Sequence, residues 1–118
     1  MLDPDYLIDL FAPLGPVSVE RMFGGQGIRY DGLMIALVMG DDIYLKASPE
    51  TISAYEAAGS TPFSYENGKK RVVTSYWRLP DAAADDPDAF CEWGRQAHAA
   101  ALRAAQKKPA KKSITGRR

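Results

Sequence analysis

Residues 22–32 read MFGGQGIRYDG, with glycine at positions 24, 25, 27 and 32. A stretch so rich in glycine either wraps a phosphate or reverses the chain between strands, and the two readings lead to different folds. A phosphate cradle needs a strand, a glycine loop and then a helix whose N–H groups hold the anion. Here the extended pattern Ile28-Arg29-Tyr30 follows the glycines. No Gly-Lys-Ser/Thr comes after them, and Gly24, Gly25 and Gly27 miss the G-x-G-x-x-G spacing. As reversals the same residues make sense. Gly24-Gly25 turns the chain, and Asp31-Gly32 forms a two-residue hairpin loop whose type I′ geometry needs positive φ at both positions. Gly27 is expected at a bulge. The stretch therefore predicts an antiparallel sheet and not a nucleotide fold.

The flanking sequence extends that sheet. Val17–Phe23 reads as a first strand, with Val17, Val19, Arg21 and Phe23 on one side. The Asp31-Gly32 turn pairs Tyr30 with Leu33 and Ile28 with Ile35. Residues 33–39, LMIALVM, are apolar without a break, as suits a central strand or an interface. After Gly40-Asp41-Asp42, the residues Ile43, Leu45 and Ala47 alternate with Tyr44 and Lys46 in a half-buried strand. Phe63–Glu66 and Arg71–Leu79 form another hairpin around Asn67-Gly68, stopped by Pro80.

Three helices accompany the strands. In residues 4–14 the apolar stripe Tyr6, Leu7, Leu10, Phe11, Leu14 has helical period, with Asp3 as cap and Pro4 at the first position. Ser48-Pro49-Glu50 starts a second helix that Gly59 ends. Asp85-Asp86-Pro87-Asp88 starts the last, which lays Phe90, Trp93, Ala97, Ala100, Ala101 and Ala104 on the sheet until Pro109. The order is taken as helix, three strands, helix, two strands, helix. That is an α+β two-layer sandwich, its largely antiparallel sheet of five strands covered by helices on one face.

The 118 residues make one domain, placed at 1–106, with a basic and disordered tail at 107–118. Net charge is zero, yet the distribution is uneven. Arg103, Lys107, Lys108, Lys111, Lys112, Arg117 and Arg118 end the chain with no acid among them. The preceding residues hold eight basic and fifteen acidic side chains. Such a split marks a tail that meets a partner, and weak nonspecific DNA binding is the alternative function it suggests. No apolar run is long enough to span a bilayer, and the acidic start lacks a signal peptide's basic region. The lone Cys91 forms no internal disulfide, so the chain is read as cytoplasmic.

Three longer segments resemble a known family. Residues 15–47, GPVSVERMFGGQGIRYDGLMIALVMGDDIYLKA, residues 57–80, AAGSTPFSYENGKKRVVTSYWRLP, and residues 86–105 are similar to the amino-terminal domain of the TfoX/Sxy proteins. The signature residues are Arg21, Met22, Phe23, Gly24, Gly25 and Gly32, then Tyr44, Leu45 and Lys46. The resemblance implies a bacterial cytoplasmic domain, not an enzyme, of the same helix and strand order. It implies a link to regulators of natural competence that act in transcription with the cyclic-AMP receptor protein. Those regulators carry a further carboxy-terminal domain, and this chain stops after its third helix.

No residue constellation adds catalysis, a cofactor or a metal. His98 is the only histidine and has no ligand or base partner one helical turn away. Cys91 stands among acids and reads as filler. Asp85, Asp86 and Asp88 suit a helix amino end. If one face of the sheet is open, Arg29 or Tyr30, Tyr44, Lys46, Tyr76 and Arg78 share an aromatic and basic surface there. A protein partner, from the transcription machinery or its regulators, is the expected contact, with a homodimer as the other way to cover LMIALVM.

Overall fold

The computed structural model describes residues 2–22 and 24–116, without the side chains of 107–116. The elements run α1 (Pro4–Phe11), β1 (Val17–Met22), β2 (Gly25–Tyr30), β3 (Leu33–Met39), β4 (Asp42–Lys46), α2 (Pro49–Ala57), β5 (Pro62–Asn67), β6 (Lys70–Arg78), α3 (Asp81–Ala84) and α4 (Pro87–Gly116). The strands make one antiparallel sheet in the order β1-β2-β3-β4-β6-β5.

The α+β class and antiparallel sheet are those expected, but the sheet has six strands and not five. Four strands, not three, precede α2. Gly24 is the reason. With φ at 76° it turns the chain so tightly that Met22 pairs directly with Gly25, and the glycine-rich segment becomes a strand of its own. Asp31 and Gly32, at φ 56° and 76°, make the hairpin loop that their sequence predicts.

The β2–β3 register departs from expectation one step in. Tyr30 does face Leu33, but Ile28 faces Ala36, because a bulge adds Ile35 to β3 opposite the Ile28/Arg29 step. Gly27 lies next to this bulge and not at it. A bulge flips the alternation of side chains beyond it. Met34 and Leu37, an odd number apart, thereby come to one face.

The helices cover the other face. Leu7 and Phe11 of α1, Tyr55 of α2, and Phe90, Ala97 and Ala101 of α4 pack on Ile28, Val38, Leu45 and Trp77. Phe11 meets Phe90 edge-on at 4.9 Å, and Tyr55 lies between Trp93 and Trp77 at 4.5 and 6.0 Å. Gln26, buried in β2, exchanges two hydrogen bonds with the Leu2 backbone, at 2.8 and 2.7 Å, which ties the amino terminus to the sheet. Asp86 caps α4, its Oδ1 accepting from the Asp88 and Ala89 N–H groups at 3.0 and 3.2 Å. The backbone of α4 passes through Pro109, where the sequence reading ends it. Proline forfeits one helical hydrogen bond, but its fixed φ near −65° is itself helical.

Candidate functional site: a groove on the open face of the sheet

The face turned away from the helices is concave. Met22 of β1, Met34 and Leu37 of β3, Phe63 and Tyr65 of β5, and Thr74 and Tyr76 of β6 line a groove of about 550 Å³. β4 runs between β3 and β6, and its Tyr44 sits beside Leu37 with its ring 5.3 Å from Phe63.

Local backbone chemistry builds each wall. On one side, Gly25 and Gly27 leave room that methionines fill. Met39 Sδ packs where a Gly25 Cβ would be, and the Met22 and Met34 thioethers converge over Gly27. Flexible thioethers suit such a surface because they adapt to the shape they meet. On the other side, the β5–β6 pairing breaks between Pro62 and Ser64. Thr74 Oγ1 mends the break, donating to the Phe63 carbonyl at 2.8 Å and accepting the Tyr76 N–H at 3.2 Å. The Phe63 and Tyr65 rings line that wall, 6.2 Å apart.

Cations ring the apolar floor and are tied to neighbours. Lys46 Nζ lies 5.1 Å from the centre of the Tyr76 ring and donates to Ser75 Oγ at 2.7 Å. Arg29 pairs with Glu20 at 3.0 Å, and Arg78 with Asp42 at 3.6 Å and Asp81 at 3.1 Å. Burial raises the Tyr76 hydroxyl above its ordinary pKa, with the nearby Arg29 charge acting the other way. Burial and the Asp42 carboxylate likewise raise Tyr44, against Arg78. Both phenols stay neutral at physiological pH. The surface expected from Arg29, Tyr44, Lys46, Tyr76 and Arg78 therefore exists, but its centre is apolar and its charges stand at the edge. Tyr30 belongs to the helix layer, its ring 4.8 Å from His98.

The sequence signature divides among three roles. Gly24 and Gly32 are turn residues, Gly25 gives close approach, and Leu45 is buried core. Met22 lines the groove, Tyr44 and Lys46 touch its lining residues Phe63 and Tyr76, Arg21 is exposed in β1, and Phe23 lies outside the described residues. Phe63, Tyr65, Met34 and Leu37 were not foreseen as partners. The β3 bulge and the β5–β6 register break assemble them, and neither irregularity has a sequence signal of its own.

Two further candidates are resolved by distant contacts. His98 does have a carboxylate partner, Asp31 at 3.1 Å, supplied by the β2–β3 turn and not by its own helix. Cys91 is buried, its Sγ 3.7 Å from the Pro13 carbonyl. Arg103 pairs with Glu50 of α2. The side chains of Lys107, Lys108, Lys111, Lys112, Arg117 and Arg118 lie outside the described residues. Among the described residues no helix is long and apolar enough to cross a membrane.

The family model of the TfoX N-terminal domain matches residues 9–101 of the chain. No curated protein matches it.

Proposed function

The chain belongs to the TfoX N-terminal domain family, and from that premise we propose that it is a regulatory adaptor. It acts in the bacterial cytoplasm by protein–protein contact in the control of transcription, and it catalyses no reaction. The observation that carries this reading is the apolar groove between β1–β3 and the β5–β6 hairpin. Its centre holds methionine, leucine and aromatic side chains. Of its polar lining groups, the Thr74 hydroxyl is engaged with the Phe63 and Tyr76 backbone, and the others are the phenols of Tyr65 and Tyr76. A catalytic pocket needs convergent polar groups aimed at a substrate, whereas a surface of this composition suits a partner's apolar side chains.

A photoreactive side chain placed at Tyr65, which lines the groove and is exposed, tests the proposal in living cells. A discrete protein adduct is expected there, absent when the same group replaces Glu92 on the exposed face of α4. The adduct should vanish in a Leu37→Glu variant that keeps its circular dichroism spectrum. Equal labelling from both positions, or none at Tyr65, overturns the adaptor reading.

A further inference from the structure

The groove's neighbours are electrically uneven. Up to Leu102 the chain holds eight basic residues, of which seven stand on strands or the β5–β6 turn and only Arg95 on a helix. Of the fifteen acids, ten belong to the helices or to the residues that bound them. The acidity of the body is therefore concentrated in the helix layer, while the sheet layer carries an excess of cations. By register the open face carries Arg29, Lys46, Lys70 and Arg78 against Glu20 and Asp42. Each of those two acids is already held by an arginine.

We propose that this groove receives the apolar stripe of an amphipathic helix from a protein partner, and that the partner helix is acidic on its flanks. The inference rests on the reading of the groove as a protein-contact site. Three observations define the occupant. Backbone pairing is excluded as the recognition mode at the centre, because β3 is bonded to β2 and β4, and β4 to β3 and β6. An added strand needs an open edge, so a partner must bind here through side chains. The lining is methionine and aromatic, the composition that accepts an apolar helix face in other helix-in-groove contacts. Charge then selects the helix. Four cations stand against Glu20, Asp42 and, from α3, Asp81, so an acidic flank meets a net positive rim although Arg29 and Arg78 keep their carboxylate partners. A basic flank meets the same net positive rim and is repelled by it. Exposed charges of this kind set preference and encounter rate more than total affinity.

The test uses two synthetic peptides of about 18 residues with one shared leucine and phenylalanine stripe, one with glutamate and one with lysine flanks. A single-stranded DNA oligonucleotide is the third probe, because stacked bases also use aromatic and basic surfaces. Fluorescence anisotropy with the full chain should show the acidic peptide binding about tenfold more tightly than the basic one at about 0.05 M salt, a preference that shrinks at about 0.5 M. Lys46→Ala should reduce the preference and leave the basic peptide nearly unaffected. Leu37→Glu should remove binding, and Tyr65→Ser, at an exposed position, should weaken it several-fold with the fold intact. Equal binding of the two peptides, binding of neither, or tighter binding of the oligonucleotide overturns the inference. If the peptides fail while the Tyr65 photo-adduct persists, the acidic-helix inference falls and the adaptor reading stands. If both fail, both fall.

Discussion

Gly24 and Gly25 are adjacent and chemically identical, yet they serve different ends. Gly24 sits at φ 76° in open space, so alanine there meets only backbone strain, about 1–2 kcal/mol. Gly25 has an ordinary strand conformation, but a Cβ would collide with the Val38 carbonyl, an atom the sheet holds in place. Gly25→Ala should therefore cost about 3 kcal/mol or more, and Gly24→Ala clearly less, as read from denaturant midpoints. Gly27→Ala meets only the ends of Met22 and Met34, which move aside, so it should alter the groove more than stability. Tyr55 gives a second residue-scale prediction. It is fully buried, and burial pushes its pKa well above the ordinary value of 10. A raised folded-state pKa means the unfolded chain loses this proton first. The stabilisation from keeping the phenol neutral is complete below about pH 10 and is lost as pH rises beyond it. Tyr76 and Tyr44 shift the same way, so the alkaline loss is shared. Tyr55→Phe should leave stability within about 1 kcal/mol at neutral pH, its hydroxyl having no hydrogen-bond partner among the described residues. It should also flatten the fall in melting temperature between about pH 9.5 and pH 11. An unchanged slope would assign the alkaline loss elsewhere.

Elements are fixed by their ends. Asp86 satisfies two N–H groups at the start of α4, and Asp86→Ala should cost about 1 kcal/mol, visible as a lower urea midpoint with unchanged slope. The same helix is pinned further along by His98, which bonds Asp31 and packs on Tyr30. Asp31 is exposed and contributes little as a charge, so Asp31→Asn, which keeps a residue that tolerates positive φ, should cost less than about 1 kcal/mol. His98→Ala removes the ring contact as well and should exceed it. Amide exchange in the β2–β3 turn measures the difference, since its residues should open faster in His98→Ala than in Asp31→Asn. A reverse order would place the turn's stability in the His98–Asp31 hydrogen bond and not in ring packing. The β-bulge at Ile35 is the element-scale feature with the largest functional reach, because it alone brings Met34 and Leu37 to one face.

At the scale of the whole molecule, the layers differ in chemistry as well as structure. One is helical and acidic, the other a sheet with an apolar groove and cations at its edge. Beyond them the chain ends in a basic run. If that run binds DNA, it does so through counterion release, and affinity falls steeply with salt. Removing residues 107–118 should then abolish any salt-sensitive gel shift and leave the melting temperature nearly unchanged, since the core closes at Ala101. A shift that survives truncation would transfer DNA binding to the body. The two proposed interactions are separable by experiment, because groove substitutions should leave any gel shift alone and truncation should leave any helix-peptide binding alone.

Much of this protein is determined locally, and that part is legible in the sequence. Asp31-Gly32 specifies a type I′ turn because few other pairs accept positive φ twice. Asp3-Pro4, Ser48-Pro49 and Asp86-Pro87 announce helix starts because orphan N–H groups need a partner within a few residues. The unbroken LMIALVM strand declares a central position. What the sequence could not supply depends on contacts between distant residues. The alternation of β3 reads Met34 and Leu37 as opposed, and only pairing with β2 inserts the bulge that unites them. His98 has no partner one helical turn away, and the fold brings a turn 67 residues away to its side. The groove itself joins residues from 22 to 76, and no single segment contains its pattern. Turns and caps are decided within a few bonds of each residue. A binding surface is decided by register and by which face the helices leave bare, and those are properties of the packed whole.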